Sequence, residues 1–316
     1  MKMHHATIDG VSGAALQAAI HDLEPLAPAD ADFVPAIRDL SGATPSTAEL
    51  LARSTVNNLA KSAKLVLGLG SAIPRLMKAK MAAPKGDDVE VPSTVFNRGR
   101  VTANRVIDGR QFALDDVRAI AASQPDTKIN DVALAVVSGA MRMYLDAKDD
   151  LPEQSLIAAC PLNVRTDQSA NADNMVSMMS THLCTDIADP AKRLRAIVDG
   201  SRNAKEFTEI LGADTLALIP MNLPAFLARN LMPPLIDLAV RLDAVMFNTI
   251  VSNVAGIQQP LYFCGAQMVS MYGVGPIVDK AGLFHAVFSY DGKITFTFTA
   301  CREMLPDPEF YAQCLQ

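Results

Sequence analysis

The chain has 316 residues, half of them apolar and a fifth charged, which gives room for one large or two medium globular domains and excludes an extensively disordered protein. A net charge of −6 without a long basic run argues against nucleic acid as a partner and against purely electrostatic attachment to an anionic membrane. Five widely spaced cysteines (Cys160, Cys184, Cys264, Cys301, Cys314) with no CxxC pair read as reduced thiols, and the N-terminus lacks the apolar core of a signal peptide, so a cytoplasmic protein is expected.

In chain order, His4 and His5 stand just ahead of a helix marked by Leu16, Ile20 and Leu23 at helical spacing, which Pro25 stops. Pro28 to Pro45 reads as a connector. Thr47 to Met81 reads as one or two amphipathic helices broken around Gly68 to Pro74, with Lys61, Lys64, Arg75, Lys78 and Lys80 giving it local positive character. Basic residues beside leucines and valines could rest on a lipid surface, but a solvated face on a packing helix is the commoner meaning. Pro84 to Pro92 is a polar link, and the natural division is into residues 1–92 and 93–316.

The second part opens with a strand at Asn104 to Ile107 and a helix started by Asp115 and Asp116. Asn130 suits the N-cap of a helix over Asp131 to Leu145, with Ile129 and Leu134 as its staple. Strands follow at Ser155 to Pro161 and Met175 to Leu183, and Asp189-Pro190 starts a helix in the preferred cap and first-turn order. Leu211 to Val245 is apolar but interrupted by prolines and charges, so it is not a membrane span. It could line an acyl tunnel, touch lipid, or form a buried helix pair. Phe284 to Tyr290 and Ile294 to Ala300 are strands joined through Asp291-Gly292, a two-residue hairpin signal. Without a regular βαβ rhythm, an α/β (α+β) fold with mixed or antiparallel sheets is expected.

The chemistry lies in His4-His5-Ala6-Thr7-Ile8-Asp9-Gly10. A neutral histidine can take the proton of an alcohol as it attacks a thioester, a task for which a carboxylate is too weak a base. His5 suits that role. Asp9, close to a helix start, can orient the loop, and Gly10 permits the turn. No nearby cysteine or carboxylate completes a zinc set and no HExxH is present, so no metal is expected. His285 lies opposite the Phe284, Ala286, Phe288 face of its strand, a pattern that favours a core histidine over a tunnel-lining one. His21 and His182 have no evident partners.

HHATIDG resembles the HHxxxDG motif of the coenzyme-A-dependent acyltransferases, the superfamily of chloramphenicol acetyltransferase. More of the chain resembles one branch, the bacterial wax ester synthase / acyl-CoA:diacylglycerol acyltransferase family. The resemblance runs through Phe96-Asn97, Ile129 to Ala140, Pro161 to Arg165, Asn174 to Ser177, Val251 to Gly256 and the tail from Pro260 through Pro308. It implies a two-lobed fold with a tunnel between the lobes, His5 at its middle as general base, and His4 and Asp9 in support. Asn130 and Asp131 match a family Asn-Asp pair, for which the helix cap is the competing reading; Gly10, Ser252 and Asn253 are further supporting positions.

The implied reaction moves a long-chain acyl group from acyl-CoA, a co-substrate and not a cofactor, directly onto diacylglycerol or a long-chain alcohol, with no acyl-enzyme and no metal. Peripheral association with the inner membrane or lipid inclusions, and a homo-oligomer, are compatible with it. Two departures stand out. The motif begins three residues from the start, where the resemblance places a stretch of the first lobe ahead of it, so an incomplete first lobe with an open sheet edge and exposed apolar surface is expected. Ala255 replaces the proline usual after Ser-Asn-Val, a change expected to loosen one turn. The competing readings are a lipid- or partner-binding remnant without turnover, and a condensation-type acyltransferase with short-chain or carrier-protein donors.

Overall fold

Alternation of apolar and threonine side chains makes β8 (Lys293–Cys301), and the Asp291-Gly292 pair folds it back on β7 (Leu283–Tyr290). Both turn residues have positive φ, 46° and 72°, as a type I′ turn requires. In the computed structural model, which describes residues 10–25, 44–82, 90–163, 176–212, 215, 222–242 and 244–316, this hairpin is the centre of a six-stranded sheet. The other strands are β1 (Arg105–Ala113), β2 (Ile157–Asn163), β3 (Val176–His182) and β4 (Thr249–Val254), in the order β1-β8-β7-β4-β2-β3. β4 runs parallel to β7 and to β2, and the remaining pairs are antiparallel, so the sheet is mixed as expected. A small ribbon, β5 (Tyr262–Phe263) with β6 (Ala266–Gln267), lies apart from it.

The helices are α1 (Gly10–Ala19), α2 (Thr47–Ala82), α3 (Leu114–Ala122), α4 (Ile129–Ala147), α5 (Pro190–Leu211), α6 (Ala225–Arg241) and α7 (Pro308–Cys314). α4 buries Leu134, Val137, Met141, Tyr144 and Leu145 at helical spacing and packs against α3, α5 and α7. Phe298 and His285 share one face of the hairpin, where Tyr311 of α7 stands edge-on to Phe298 with ring centres 4.9 Å apart. On the opposite face the threonines bond a covering loop: Thr297 Oγ1 donates to Gly273 O (2.7 Å), and Gly275 N donates to Thr299 Oγ1 (3.3 Å). Both faces of β8 are therefore buried.

Three expectations need correction. α2 is one helix of 36 residues and does not break at Gly68 to Pro74. An internal proline costs about 3 kcal/mol, but the helix is fastened on both sides of it by buried Ala72 and by Arg75 Nη1 donating to Thr215 Oγ1. α4 is capped at Lys128 and not at Asn130: Lys128 N donates to Asp131 Oδ2 at 2.9 Å, half of a reciprocal box that a lysine side chain, having no acceptor, cannot close. Finally, of the readings left open for Leu211 to Val245, the buried helix pair does not describe α6, which leaves Phe226, Leu231, Leu235 and Leu238 exposed. Pro28 to Pro45 lies mostly outside the described residues. No described helix is long and apolar enough to cross a membrane.

Candidate active site

His4, His5 and Asp9 lie outside the described residues. Gly10 is the first residue of α1, in agreement with a helix that starts where the motif ends. α1 rests against β4, the strand that carries Ser252 and Asn253. Its exit is fastened by a pair of backbone bonds, Asp22 N to Tyr262 O and Tyr262 N to Asp22 O, both 2.8 Å, and Gln17 Nε2 donates to Met268 Sδ at 3.4 Å.

From the other side Asn253 Nδ2 donates to Asn130 Oδ1 at 3.3 Å, tying the end of β4 to the first turn of α4. The fold therefore gathers the helix opened by Gly10, the strand of Ser252 and Asn253, and the helix of Asn130 and Asp131 around one strand. Ser252 is half-buried and registers with Ala286; Asn253 is exposed. Asp131 is separated from this group by its role in the α4 cap, whereas the Asn130 side chain is left to meet Asn253.

The contact of α1 with the sheet is close. Gln17, Gly256, Leu261, Met268, Phe288 and Tyr290 surround a cavity of about 10 Å³, room for roughly one water and far too little for an acyl chain. A Cβ on Gly256 would stand 2.1 Å from Ser289 O, so only glycine lets the chain leave β4 this near β7.

Among the described histidines and cysteines, His285, Cys160 and Cys184 are poor catalysts because they are buried. His285 is buried, as its strand pattern favours. Burial drives its pKa down to about 3, so it is a poor base at neutral pH. Its ring lies between Thr249 Oγ1 (2.9 Å) and Tyr311 Oη (2.7 Å). Tyr311 donating to Nε2, Nδ1–H donating to Thr249, and Thr249 donating to Leu283 O (3.0 Å) would satisfy every donor. His21 accepts no such role: Nδ1 meets Gln17 O at 2.7 Å at the end of α1. His182 ends β3 opposite Ile157. All five cysteines are free, and burial pushes Cys160 up to about 12 and Cys184 to about 11, away from reactive thiolates. No group of three or more His, Cys, Asp or Glu among the described residues could hold a metal ion.

Sequence reading missed a buried amide network. Asn97 Oδ1 accepts from Thr94 Oγ1 (2.9 Å) and Asn248 Nδ2 (2.9 Å), while its Nδ2 donates to Lys280 O (2.8 Å) and Phe247 O (3.2 Å). Asn248 Oδ1 in turn accepts from Ile157 N at 2.8 Å. The network sets the entry of β4 beside β2. Its one sequence signal was the Phe96-Asn97 pair.

Two family models match: the wax ester synthase/diacylglycerol acyltransferase catalytic domain over residues 1–133, and the WS/DGAT C-terminal domain over residues 172–316. The chain belongs to the wax ester synthase/diacylglycerol acyltransferase family. A Mycobacterium tuberculosis relative, provisionally named a diacylglycerol O-acyltransferase, is 34% identical over 256 residues, covering 76% of this chain and 50% of its own. A second of the same name and organism is 32% identical over 310 residues, covering 96% of this chain and 66% of its own. The solved wax ester synthase/diacylglycerol acyltransferase from Marinobacter aquaeolei VT8 shares the fold, with a TM-score of 0.59 at 22% identity over 99% of this chain and 64% of that one. This chain thus spans about half to two-thirds of the length of these family members.

Proposed function

We propose that the protein transfers a long-chain fatty acyl group from acyl-CoA to the hydroxyl of diacylglycerol or a long-chain alcohol. The observation that carries the reading is the position of HHATIDG inside the span matched by the family's catalytic-domain model, followed directly by a helix seated on the strand of Ser252 and Asn253. In the proposed step His5 takes the hydroxyl proton while the alcohol oxygen attacks the thioester carbon; the C–S bond then breaks, and the departing thiolate recovers the proton from the imidazolium. His4 and Asp9 support the base, and Gly10, Asn130, Asp131, Ser252 and Asn253 support the elements around it. No acyl-enzyme, metal or cofactor enters the scheme. Because donor and acceptor are both lipids, access at a membrane or lipid-inclusion surface belongs to the same reading.

The test is ester formation from palmitoyl-CoA with diolein or hexadecanol, comparing the intact protein with His5→Ala. Loss of a general base is expected to lower the rate about 10²- to 10⁴-fold. Equal rates in the two proteins would defeat the assignment. Acyl-CoA binding without turnover in the intact protein would also overturn it and leave a lipid-binding role instead.

A further inference from the structure

Among the described residues, α2 is held to the rest of the protein along one side. Ala72 is buried, Arg75 bonds Thr215, and the helix packs on α5. At about 100° per residue, Val56, Leu59, Val66, Leu67, Ile73 and Met77 fall in a stripe turned away from Ala72. Five of these six, all but Ile73, are 64–76% exposed. A contiguous apolar stripe of this length is unfavourable in water and marks a surface made to be covered.

Charge identifies what covers it. The α2 sequence carries six bases (Arg53, Lys61, Lys64, Arg75, Lys78, Lys80) and one acid, Glu49, a net of +5 within a chain of net −6. Arg53, Lys64 and Lys78 are exposed along one border of the stripe. A second copy meeting this face would set the Lys64 and Lys78 border against its own like charges, with Arg53 already paired to Glu49, which disfavours self-association. At roughly 1.5 Å per residue the helix is about 54 Å long, so it suits lying along a bilayer surface, and no described helix is apolar enough to cross one.

We propose that α2 docks the protein on an anionic phospholipid bilayer, with the Val56–Met77 stripe entering the acyl boundary and the lysines on headgroup phosphates. This deepens the lipid-surface reading above. Its test measures binding and not turnover, so either can fail alone.

The chain has no tryptophan, so Leu67→Trp provides a single fluorescent reporter on the stripe and Met143→Trp, exposed on α4, a control. On adding vesicles of phosphatidylcholine with one-third phosphatidylglycerol, the emission of the Leu67→Trp protein is expected to shift to the blue and that of the Met143→Trp protein to stay. Vesicles of phosphatidylcholine alone should bind at least about tenfold more weakly. Lys64→Glu/Lys78→Glu should weaken vesicle flotation by about tenfold or more, at roughly 1 kcal/mol per basic residue near the surface. Overturning outcomes are no blue shift at position 67, equal shifts at both positions, or unchanged flotation of the Lys64→Glu/Lys78→Glu protein. A shift in the Leu67→Trp protein that depends on protein concentration without vesicles would overturn lipid docking and assign the stripe to self-association.

Discussion

The Asn253 amide reaches the Asn130 carbonyl oxygen at 3.3 Å across 123 positions of sequence, joining the end of β4 to the first turn of α4. The pair is exposed, so its bond contributes at most about 0.5–1.5 kcal/mol, a Tm change of no more than roughly 2–4 °C per kcal/mol in a protein of this size. Its importance is positional, because α1, the helix that follows HHATIDG in the chain, rests against the same strand. Asn253→Ala and Asn130→Ala should each leave Tm nearly unchanged while lowering kcat/KM for ester formation about tenfold, and the double variant should lose little more than either single one. Unaltered kcat/KM in both single variants would remove these residues from the site.

Gly256 allows β4 to leave the sheet against Ser289, whose carbonyl oxygen would lie 2.1 Å from an alanine Cβ. The obstacle is backbone of a central strand, which cannot turn aside as a flexible side chain can. Gly256→Ala is therefore expected to destabilise the protein by roughly 1–3 kcal/mol through overpacking, seen as a lower urea midpoint at constant m. A wild-type midpoint would mean that the strand end shifts at little cost.

Much of this arrangement was legible in local sequence. Asp291-Gly292 announced its hairpin because only a type I′ turn wants two positive φ values in succession, and Asp189 announced α5, where its carboxylate accepts from Lys192 N at 2.8 Å. The errors have physical causes. Asn130 is a better N-cap by residue type than Lys128, but the Asp131 carboxylate bonding back to Lys128 N moves the start two residues upstream. The proline penalty in α2 is local, whereas the Arg75 bond that helps to hold the helix spans 140 positions. The Asn97–Asn248 link crosses 151 positions and leaves no periodicity to read. For the site itself, the strand and helix of Asn253 and Asn130 were readable as motif fragments, but their meeting is a product of the sheet order β7-β4-β2.

That buried link makes its own prediction. Asn97→Ala removes the acceptor of Thr94 Oγ1 and one of the two acceptors of Asn248 Nδ2, which keeps Pro92 O, and strips a donor from Phe247 O and Lys280 O at a site closed to solvent. Unsatisfied buried groups cost about 1–3 kcal/mol each, part of which an entering water restores. A total loss above about 3 kcal/mol is expected by urea titration, against roughly 1 kcal/mol for Thr94→Val, which removes one donor. Similar losses in the two variants would show that Asn97 is not the hub.

His285 should make stability fall in acid with a sign that can be worked out. Its folded pKa, near 3 through burial, lies below the ordinary 6.5, so between these values the unfolded chain binds the proton and the folded chain refuses it. The stability tied to the neutral ring is complete above about pH 6.5 and declines as pH falls towards 3, by at most about 1.4 kcal/mol per pH unit. Replacing the ring with His285→Phe leaves the buried Tyr311 hydroxyl without its acceptor, while Thr249 keeps Leu283 O, a cost of roughly 1–3 kcal/mol at about pH 7. It also abolishes this source of acid sensitivity, so urea midpoints of wild type and variant, taken from about pH 7 to about pH 4, should converge. Parallel curves would show that the ring accepts a proton without unfolding. The same ring takes no part in the proposed reaction, so the pH dependence of ester formation should keep its inflection in His285→Phe.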